Sequence, residues 1–507
     1  MTSSQLVFVN TIAQYGRTII NMVLSLYTIR LILSNLGQSD YGIYSLIAGV
    51  VAMLSFITNS LVNTTQRFIS YYQGIKDGQK LKDIFNNSLV IHILLGIVLI
   101  LILEICTPFL FNGFLNIPEN RIDTAIIVYH LVVLMLFLSF VTSPFRALLI
   151  SHENIVYLSI IDVFDSLIKV FLVIIMSHLN YDKLLFYSFI MLSVQLINFL
   201  CLSIYCFIKY EECIRPNIFK LNRKYITDLG RYAGWNIYGT LCLTGRSQGI
   251  AIILNRIYGT IMNAAWGIGA QISGYTNLLS SAVANAMSPQ IIKAEGSGNR
   301  ERTLFLSNIL SKTNFFLMSI IGIPCIFEME EILKLWLTEF PSDTTLFAII
   351  FVIAQLIDSM TIGLTHVNNA IGKIRLYTIV MNTPKFFTFI FAYLLIKMGC
   401  SVVSVGIIYI FIEGICSFAR IPLISKQAGF KVVKFFNKVI IRELFPLIIC
   451  VLTCWLIVLF FSFSYRFIFT FIISSMVYTL TFYFCGLTSQ EKLIIQNLCK
   501  SILQKIK

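Results

Sequence analysis

The sequence predicts an all-α polytopic membrane protein with about 14 transmembrane helices. Of its 507 residues, 57% are hydrophobic and only 12% are charged, whereas a soluble domain of this size needs a far more polar surface. Apolar segments long enough to cross a bilayer, about 20 residues each, recur along the whole chain. The connections between them are too short to fold into a separate catalytic or nucleotide-binding domain. Any activity is therefore expected among the helices.

The spans are placed on runs of apolar residues between polar or glycine-containing breaks. The first span has no basic segment before it and no cleavage site, so we expect it to be retained and not removed as a signal peptide. The twelve cysteines form no CxxC pair, so neither a metal centre nor a disulfide framework is predicted, and no cofactor is expected. The predicted bounds are 8–34, 41–66, 84–111, 124–150, 155–178, 183–208, 226–254, 261–287, 303–327, 344–371, 377–398, 402–424, 444–463 and 467–486.

The formal charge of +14 follows membrane topology and does not indicate nucleic-acid binding. Lysines and arginines concentrate in alternate loops, with four in 67–83, five in 209–224, three in 288–302, five in 425–442 and four in 487–507. The intervening loops carry few. By the positive-inside rule the basic loops and both termini are cytoplasmic, as expected for a multi-pass protein of the bacterial inner membrane.

Similar segments recur at nearly constant separation, which predicts an internal repeat. The turn at Gly37 matches the turn at Gly259, and the loop from Gln66 matches the loop from Gln290, at separations of 222 and 224 residues. Repeats of this kind place a substrate site between the two halves of a transporter. The predicted organisation is an N-terminal six-helix bundle at 1–208, a cytoplasmic linker at 209–225, a C-terminal six-helix bundle at 226–424, a basic cytoplasmic loop with two further helices at 425–486, and a cytoplasmic amphipathic tail at 487–507.

Two arginines in the middle of apolar segments are the leading candidate site residues. Arg17 in the first span and Arg246 in the seventh need polar surroundings, because an arginine at the centre of a bilayer costs about 2.5–3.5 kcal/mol or more. The alternative for Arg17 is that its side chain extends to the cytoplasmic headgroups. Polar residues at helical spacing predict a lined cavity, and its candidate members are Asn10, Gln14, Asn21, Asn59, Asn63, Asn236, Gln271 and Asn285.

Charged residues inside other apolar segments form a second set of candidates. Asp162, Asp165 and Lys169 lie three and four residues apart on one helical face. They are interpreted either as a proton-sensitive, ion-coupling latch or as a structural salt bridge. Glu413 and Arg420 are two turns apart and are expected to form a structural pair.

The chain resembles the bacterial polysaccharide transporter family of Wzx-type O-antigen and capsule flippases, in the multidrug/oligosaccharidyl-lipid/polysaccharide exporter superfamily. The resemblance rests on GWNIYGTL, RSQGIAIILN, YGTIMNAAWGIGAQ, MSPQIIKAEG and EILKLWL. It implies a V-shaped pair of bundles that flips an undecaprenyl-pyrophosphate-linked oligosaccharide by alternating access. It also implies arginines that contact pyrophosphate or acidic sugars, for which Arg17 and Arg246 are suitable. Amides in place of arginines on the second and eighth spans depart from the related lipid II flippases.

The function expected from this resemblance is transport and not catalysis. Its partners are expected to be the lipid-linked oligosaccharide, the membrane lipids, and the glycan polymerase and glycosyltransferases of the same pathway. The alternative within the superfamily is a cation-coupled multidrug exporter, which more naturally has acidic cavity residues. A membrane enzyme is a third class, but it needs a large extracytoplasmic loop or a clustered catalytic constellation.

Topology is the first testable prediction. Alkaline phosphatase is active only outside the cytoplasm, so fusions at Thr2 and at Lys507 should be inactive, whereas a fusion at Arg121, in an opposite loop, should be active. Phosphatase activity at either terminus would contradict the predicted topology.

Overall fold

All regular secondary structure in the described residues is helical. The computed structural model describes residues 3–52, 54–111, 117–177, 181–213, 222–337, 340–463, 465–493 and 496. The N-terminal helices are α1 (Ser3–Ala52), α2 (Ser55–Ile75), α3 (Gly78–Phe109), α4 (Ile122–Ser151), α5 (Ile155–Met176) and α6 (Lys183–Lys209). The following helices are α7 (Arg223–Tyr258), α8 (Thr260–Gly296), α9 (Arg300–Phe327), α10 (Met329–Trp336), α11 (Thr344–Ser359), α12 (Ile362–Ile371), α13 (Ile374–Lys397), α14 (Val403–Ala428), α15 (Val432–Phe435), α16 (Ile441–Phe460) and α17 (Arg466–Thr481).

The backbone repeats itself at the predicted separation. Gly37 bends α1 with φ 76° and ψ 170°, and Gly259 separates α7 from α8 with φ 85° and ψ −174°. Downstream, Asp77 caps α3 by accepting from the backbone N–H of Lys80, three residues on, and Asn299 caps α9 in the same way. Each pair is 222 residues apart. The backbone turns and caps therefore recur at the separation of the predicted sequence repeat.

The chain divides into two compact units, Phe8–Ile237 and Tyr238–Lys507 with Met1–Val7. In the first unit α4 packs against α2, α3 and α6. Its core includes the fully buried Phe140 and the nearly buried Tyr129. The Tyr129 hydroxyl donates to the Leu103 carbonyl at 2.8 Å, so this large ring is buried with its polar end paired.

In the second unit α9 is the helix with the most varied packing. It contacts α8, α11, α12, α16 and α17, and apolar side chains from these helices form a continuous core around Phe315 and Met318. The helices α13 and α14 pack on each other, and α14 also packs on α11. Burial on these faces is what brings charged residues of α7, α11, α13 and α14 together.

Each of the fourteen predicted spans coincides with helical residues, although not every boundary was right. The predicted span 41–66 is divided, because α1 ends at Ala52 and α2 begins at Ser55. The predicted span 344–371 is two helices, α11 and α12, bent by 51° at the break. The predicted linker falls partly, and the amphipathic tail mostly, outside the described residues.

Within the described residues, eight helices are long and apolar enough to cross a membrane, or nine if α11 and α12 form one span. The other predicted spans are those of α1, α2, α5, α7 and α8. They include the helices that carry the predicted polar faces. The helix α5 has Asp162, Asp165 and Lys169 among its 22 residues. Placing it in lipid is therefore less favourable, and its charged side chains need polar partners on neighbouring helices. The chain is a multi-pass membrane protein.

Replacing Gly259 should destabilise the protein. Its backbone conformation is open almost only to glycine, and another residue costs about 1–3 kcal/mol there. We expect Gly259→Ala to lower the thermal unfolding midpoint in detergent. Gly267→Ala is the matched control, because Gly267 lies inside α8 and has open space where the added methyl group would lie. Equal midpoints for the two variants would show that the turn is not strained.

Candidate functional site

Five charged side chains meet inside the second unit, and they are called here the C-terminal charge network. Arg246 of α7 donates to Glu413 of α14 at 2.6 Å. Lys385 of α13 donates to the other oxygen of Glu413 and lies 3.8 Å from Asp358 of α11. Arg420 of α14 donates to Asp358 at 2.7 Å. The network therefore links four helices through two carboxylates.

The bend between α11 and α12 positions the Asp358 end of this network. Breaking the helix after Ser359 removes backbone hydrogen bonds that a continuous helix would make. Arg420 compensates, because it donates to the Asp358 carbonyl at 3.4 Å and to the Thr361 hydroxyl at 2.9 Å. Thr361 in turn donates to the Ser417 carbonyl at 3.1 Å. The guanidinium of Arg420 thus stabilises the bend and also neutralises a carboxylate.

Four of the five side chains of the network are buried, which makes their pairing obligatory. Arg246 is 9% exposed, Lys385 7%, Glu413 4% and Arg420 3%. Ions removed from water lose several kcal/mol of solvation each, which partners of opposite charge and additional hydrogen bonds must offset. Arg246 has a further partner, because its guanidinium lies 4.2 Å from the centroid of the Tyr409 ring.

A cavity of about 290 Å³ borders the network. Arg246, Lys385, Asp358 and Glu413 contribute to its wall. The remaining polar lining consists of hydroxyl and amide groups, from Ser273, Asn277, Ser280, Gln355, Ser359 and Tyr409. Such a lining combines cations with neutral hydrogen-bonding groups, and it suits a ligand that carries both negative charge and hydroxyl groups.

A smaller charge cluster lies in the first unit. Arg17 of α1 and Arg146 of α4 each donate to the same oxygen of Asp162 at 2.6 Å. Asp165, one turn further along α5, accepts from the Asn198 amide of α6. Among the described side chains, Lys169 forms no ion pair with either aspartate, and it lines a separate cavity of about 500 Å³.

The structure changes how the predicted residues group. Asp162 pairs with Arg17 and Arg146 and not with Lys169. The proton-latch hypothesis now concerns Asp165, whose Oδ1 is buried without a partner in the described part of the chain. The expected pair of Glu413 with Arg420 was wrong, because Arg420 pairs with Asp358, whereas Glu413 pairs with Arg246 and Lys385. Side-chain directions, which spacing along one helix cannot show, decide both cases.

The predicted amides divide into two groups. Asn10 and Gln14 are buried, and Asn10 donates to the Glu153 carbonyl at 2.8 Å. Asn21 is half-buried, with an oxygen that has no partner among the described residues, and Asn236 donates to the Thr64 hydroxyl at 3.2 Å. By contrast, four amides are exposed and available to a ligand, namely Asn59, Asn63, Gln271 and Asn285.

Sequence reasoning did not assign Arg146, Asn198, Asp358 or Lys385 to a site. The available signal was their charge or amide within or beside an apolar segment. Such a residue needs a polar partner in a membrane protein, but its partner lies on another helix. Arg17 and Arg246 lie in different units, and each belongs to a cluster within its own unit. Their joint contact with one pyrophosphate stays a prediction.

Comparison with known proteins agrees with this architecture. Residues 4–295 match the family described as polysaccharide biosynthesis protein. No curated protein matches the sequence significantly.

Solved structures share the fold at low sequence identity. One is a MATE in the straight conformation, with 13% identity, a TM-score of 0.73, and coverage of 85% of this chain and 97% of the other. An outward-facing multidrug resistance MATE family transporter of the MOP superfamily has 14% identity, a TM-score of 0.68, and coverage of 85% and 96%. A MOP superfamily transporter from Pyrococcus furiosus Vc1 (DSM3638), described as having a binding pocket of reversed polarity, has 14% identity, a TM-score of 0.71, and coverage of 85% and 98%.

The shared carboxylate should matter more for stability than either of its cations. Glu413→Gln leaves Arg246 without a carboxylate and Lys385 with only the 3.8 Å contact to Asp358. Removing one partner from a buried pair costs about 3–5 kcal/mol. Arg246→Gln should cost less, because Lys385 still holds Glu413.

Thermal unfolding in detergent measures this order, with Arg256→Gln at the exposed end of α7 as the control. An Arg246→Gln midpoint at or below that of Glu413→Gln would contradict it.

Proposed function

Since the chain belongs to the polysaccharide biosynthesis protein family, we propose that it flips an undecaprenyl-pyrophosphate-linked oligosaccharide across the bacterial inner membrane by alternating access. The glycan would be a repeat unit of O-antigen, capsule or exopolysaccharide. The fold shared with MOP superfamily transporters supports a transport role. The observation that carries the proposal is the surplus of cations over ion-paired carboxylates in both charge clusters.

Both clusters have one more cation than they have ion-paired carboxylates. Arg17 and Arg146 share Asp162 in the first unit. In the second unit Arg246, Lys385 and Arg420 share Asp358 and Glu413. In the second-unit network, whose cations are buried, a surplus positive charge attracts an anion more strongly than the same charge would at a surface. Pyrophosphate is such an anion.

The lining of the second-unit cavity supports a sugar-bearing ligand. Arginine can hold two phosphate oxygens through its planar guanidinium, and charge-assisted hydrogen bonds of this kind are stronger than neutral ones. The surrounding hydroxyls and amides can exchange hydrogen bonds with sugar hydroxyls. The exposed amides of α2 and α8, Asn59, Asn63, Gln271 and Asn285, add further groups of the same chemistry. The polyprenyl tail would remain in the lipid.

The sequence gives no indication that nucleotide hydrolysis drives transport. The sequence has no G-x-x-x-x-G-K-[ST] motif, and we infer that transport is driven by an ion gradient or by removal of the product on the far side.

The arginines should be needed for transport and dispensable for folding. In Arg17→Ala, Asp162 keeps Arg146, and in Arg246→Ala, Glu413 keeps Lys385, so neither variant leaves a carboxylate unpaired. Each loses one cation and a contact worth about 1.5–3 kcal/mol, which weakens ligand binding by roughly ten- to a hundredfold. Surface polysaccharide in a flippase-null strain should therefore be lost at normal membrane abundance. Arg→Lys should restore part of it.

Arg256→Ala serves as the control for loss of an arginine on the same helix. Wild-type glycan from both Arg17→Ala and Arg246→Ala would mean that the arginines serve as helix anchors or structural ion-pair partners.

A cation-coupled multidrug exporter is the alternative, because the chain shares its fold with MATE family transporters. The excess positive charge disfavours cationic drugs. Ethidium efflux from cells expressing the protein separates the two functions: drug efflux without complementation of surface glycan would support the exporter.

A further inference from the structure

A buried carboxyl group without a hydrogen-bond partner lies in the first turn of α16. Glu443 has 0% exposure, and neither of its carboxyl oxygens has a partner in the part of the chain that the structure describes. An ionised carboxylate in this environment has lost its hydration and gained nothing in return. A neutral carboxylic acid tolerates the same place far better. Glu443 is separate from both charge clusters described above.

The lysine that acts electrostatically on Glu443 is Lys312, and its donors are engaged elsewhere. Lys312 of α9 is 2% exposed and donates to the two oxygens of Glu491 at 2.9 and 3.2 Å and to the Gly486 carbonyl at 3.2 Å. An ammonium group has three donors, so these bonds use all of them. Lys312 acts on Glu443 through its charge only.

The other groups that act electrostatically on Glu443 do not neutralise it. Glu491 is itself an anion, and Tyr478 of α17 is a fully buried phenol. Arg442, the preceding residue, donates to the Leu487 carbonyl at 3.0 Å. Within the described residues no group of three His, Cys, Asp or Glu side chains is placed to hold a metal ion. These surroundings favour a proton over a metal cation.

Two irregular backbone segments pack against α16, the helix that carries this carboxyl group. A π-helical turn at Phe436–Ile440 precedes α16, and another at Phe482–Gly486 follows α17. Such turns are rare and occur often at functional sites. The carbonyls at the end of the second turn are held by Lys312 and Arg442 rather than by helix backbone. Side-chain charge therefore controls how this segment attaches to α9 and α16.

We propose that Glu443 is a proton-binding site whose occupancy decides which carboxylate Lys312 holds. With the proton bound, Glu443 is neutral and Lys312 stays on Glu491, which also accepts from the Thr488 N–H at 2.6 Å. When the proton leaves to water, Glu443 becomes an anion and draws N–H donors of Lys312 away from Glu491. Lys312 keeps its own three protons throughout. Deprotonation thus loosens the turn at Thr488–Glu491 from α9.

Infrared spectroscopy of the purified full chain in lipid tests this directly, because a protonated carboxyl group has a C=O stretch distinct from that of a carboxylate. At neutral pH the wild-type protein should show a protonated-carboxyl band that Glu443→Gln loses, while Glu301→Gln, an exposed site on α9, retains it. Raising the pH should remove the wild-type band reversibly. Identical protonated-carboxyl absorption in wild type and Glu443→Gln would overturn the proposal.

Two further variants keep the test decisive if Glu443→Gln does not fold. Glu491→Gln frees Lys312, so loss of the band should shift to lower pH than in wild type. Lys312→Met removes the cation, so loss of the protonated-carboxyl band should shift to higher pH than in wild type. Shifts in these opposite directions support the proposal. A band that is absent from wild type and present in Lys312→Met would show instead that Glu443 is an ionised partner of Lys312.

Discussion

The cost of removing charge from water is the constraint on which this structure depends. A chain that is 57% hydrophobic can place helices in lipid at little cost, but each arginine, lysine or carboxylate inside them needs a partner. The partners come from other helices. Arg246 reaches α14, Arg420 reaches α11, and Arg17 reaches α5. The polar network therefore specifies which helices pack together, a role that apolar contacts, which are nondirectional, cannot fill alone.

The ion pairs allow the carboxylates to stabilise the fold while a surplus cation remains for the proposed ligand. Each carboxylate that faces a candidate arginine has a second cation: Arg146 beside Asp162, and Lys385 beside Glu413. The carboxylates are needed to hold the helices together. The surplus cation can exchange its protein partner for an anionic ligand without leaving a buried charge alone. In the proposed function, a site built in this way can bind and release an anionic ligand while the helices stay folded.

The two halves share a backbone plan and differ in chemistry. The turns at Gly37 and Gly259 and the caps at Asp77 and Asn299 recur at one separation. At the same separation of 222 residues, the position corresponding to Arg17 is Gly239 and the position corresponding to Arg246 is Leu24. Backbone geometry is set by local requirements for glycine and capping side chains. In the proposed function the charges serve a ligand, and a ligand that differs at its two ends has no need for a symmetric site.

The sequence by itself determined the helical class, the approximate spans and the repeat, because these depend on apolar runs, glycine turns and charge in alternating loops, all of which are local. It also identified Arg17, Arg246, Asp162 and Glu413 as charged residues within apolar segments, which need polar partners. Their partners were decided only by the tertiary structure. Arg420 pairs with Asp358 beside the break between α11 and α12, and the packing of α13 on α14 brings Lys385 to Glu413. Spacing along one helix shows which residues share a face, but ion pairs between helices depend on how those faces are rotated and packed, which no single segment encodes.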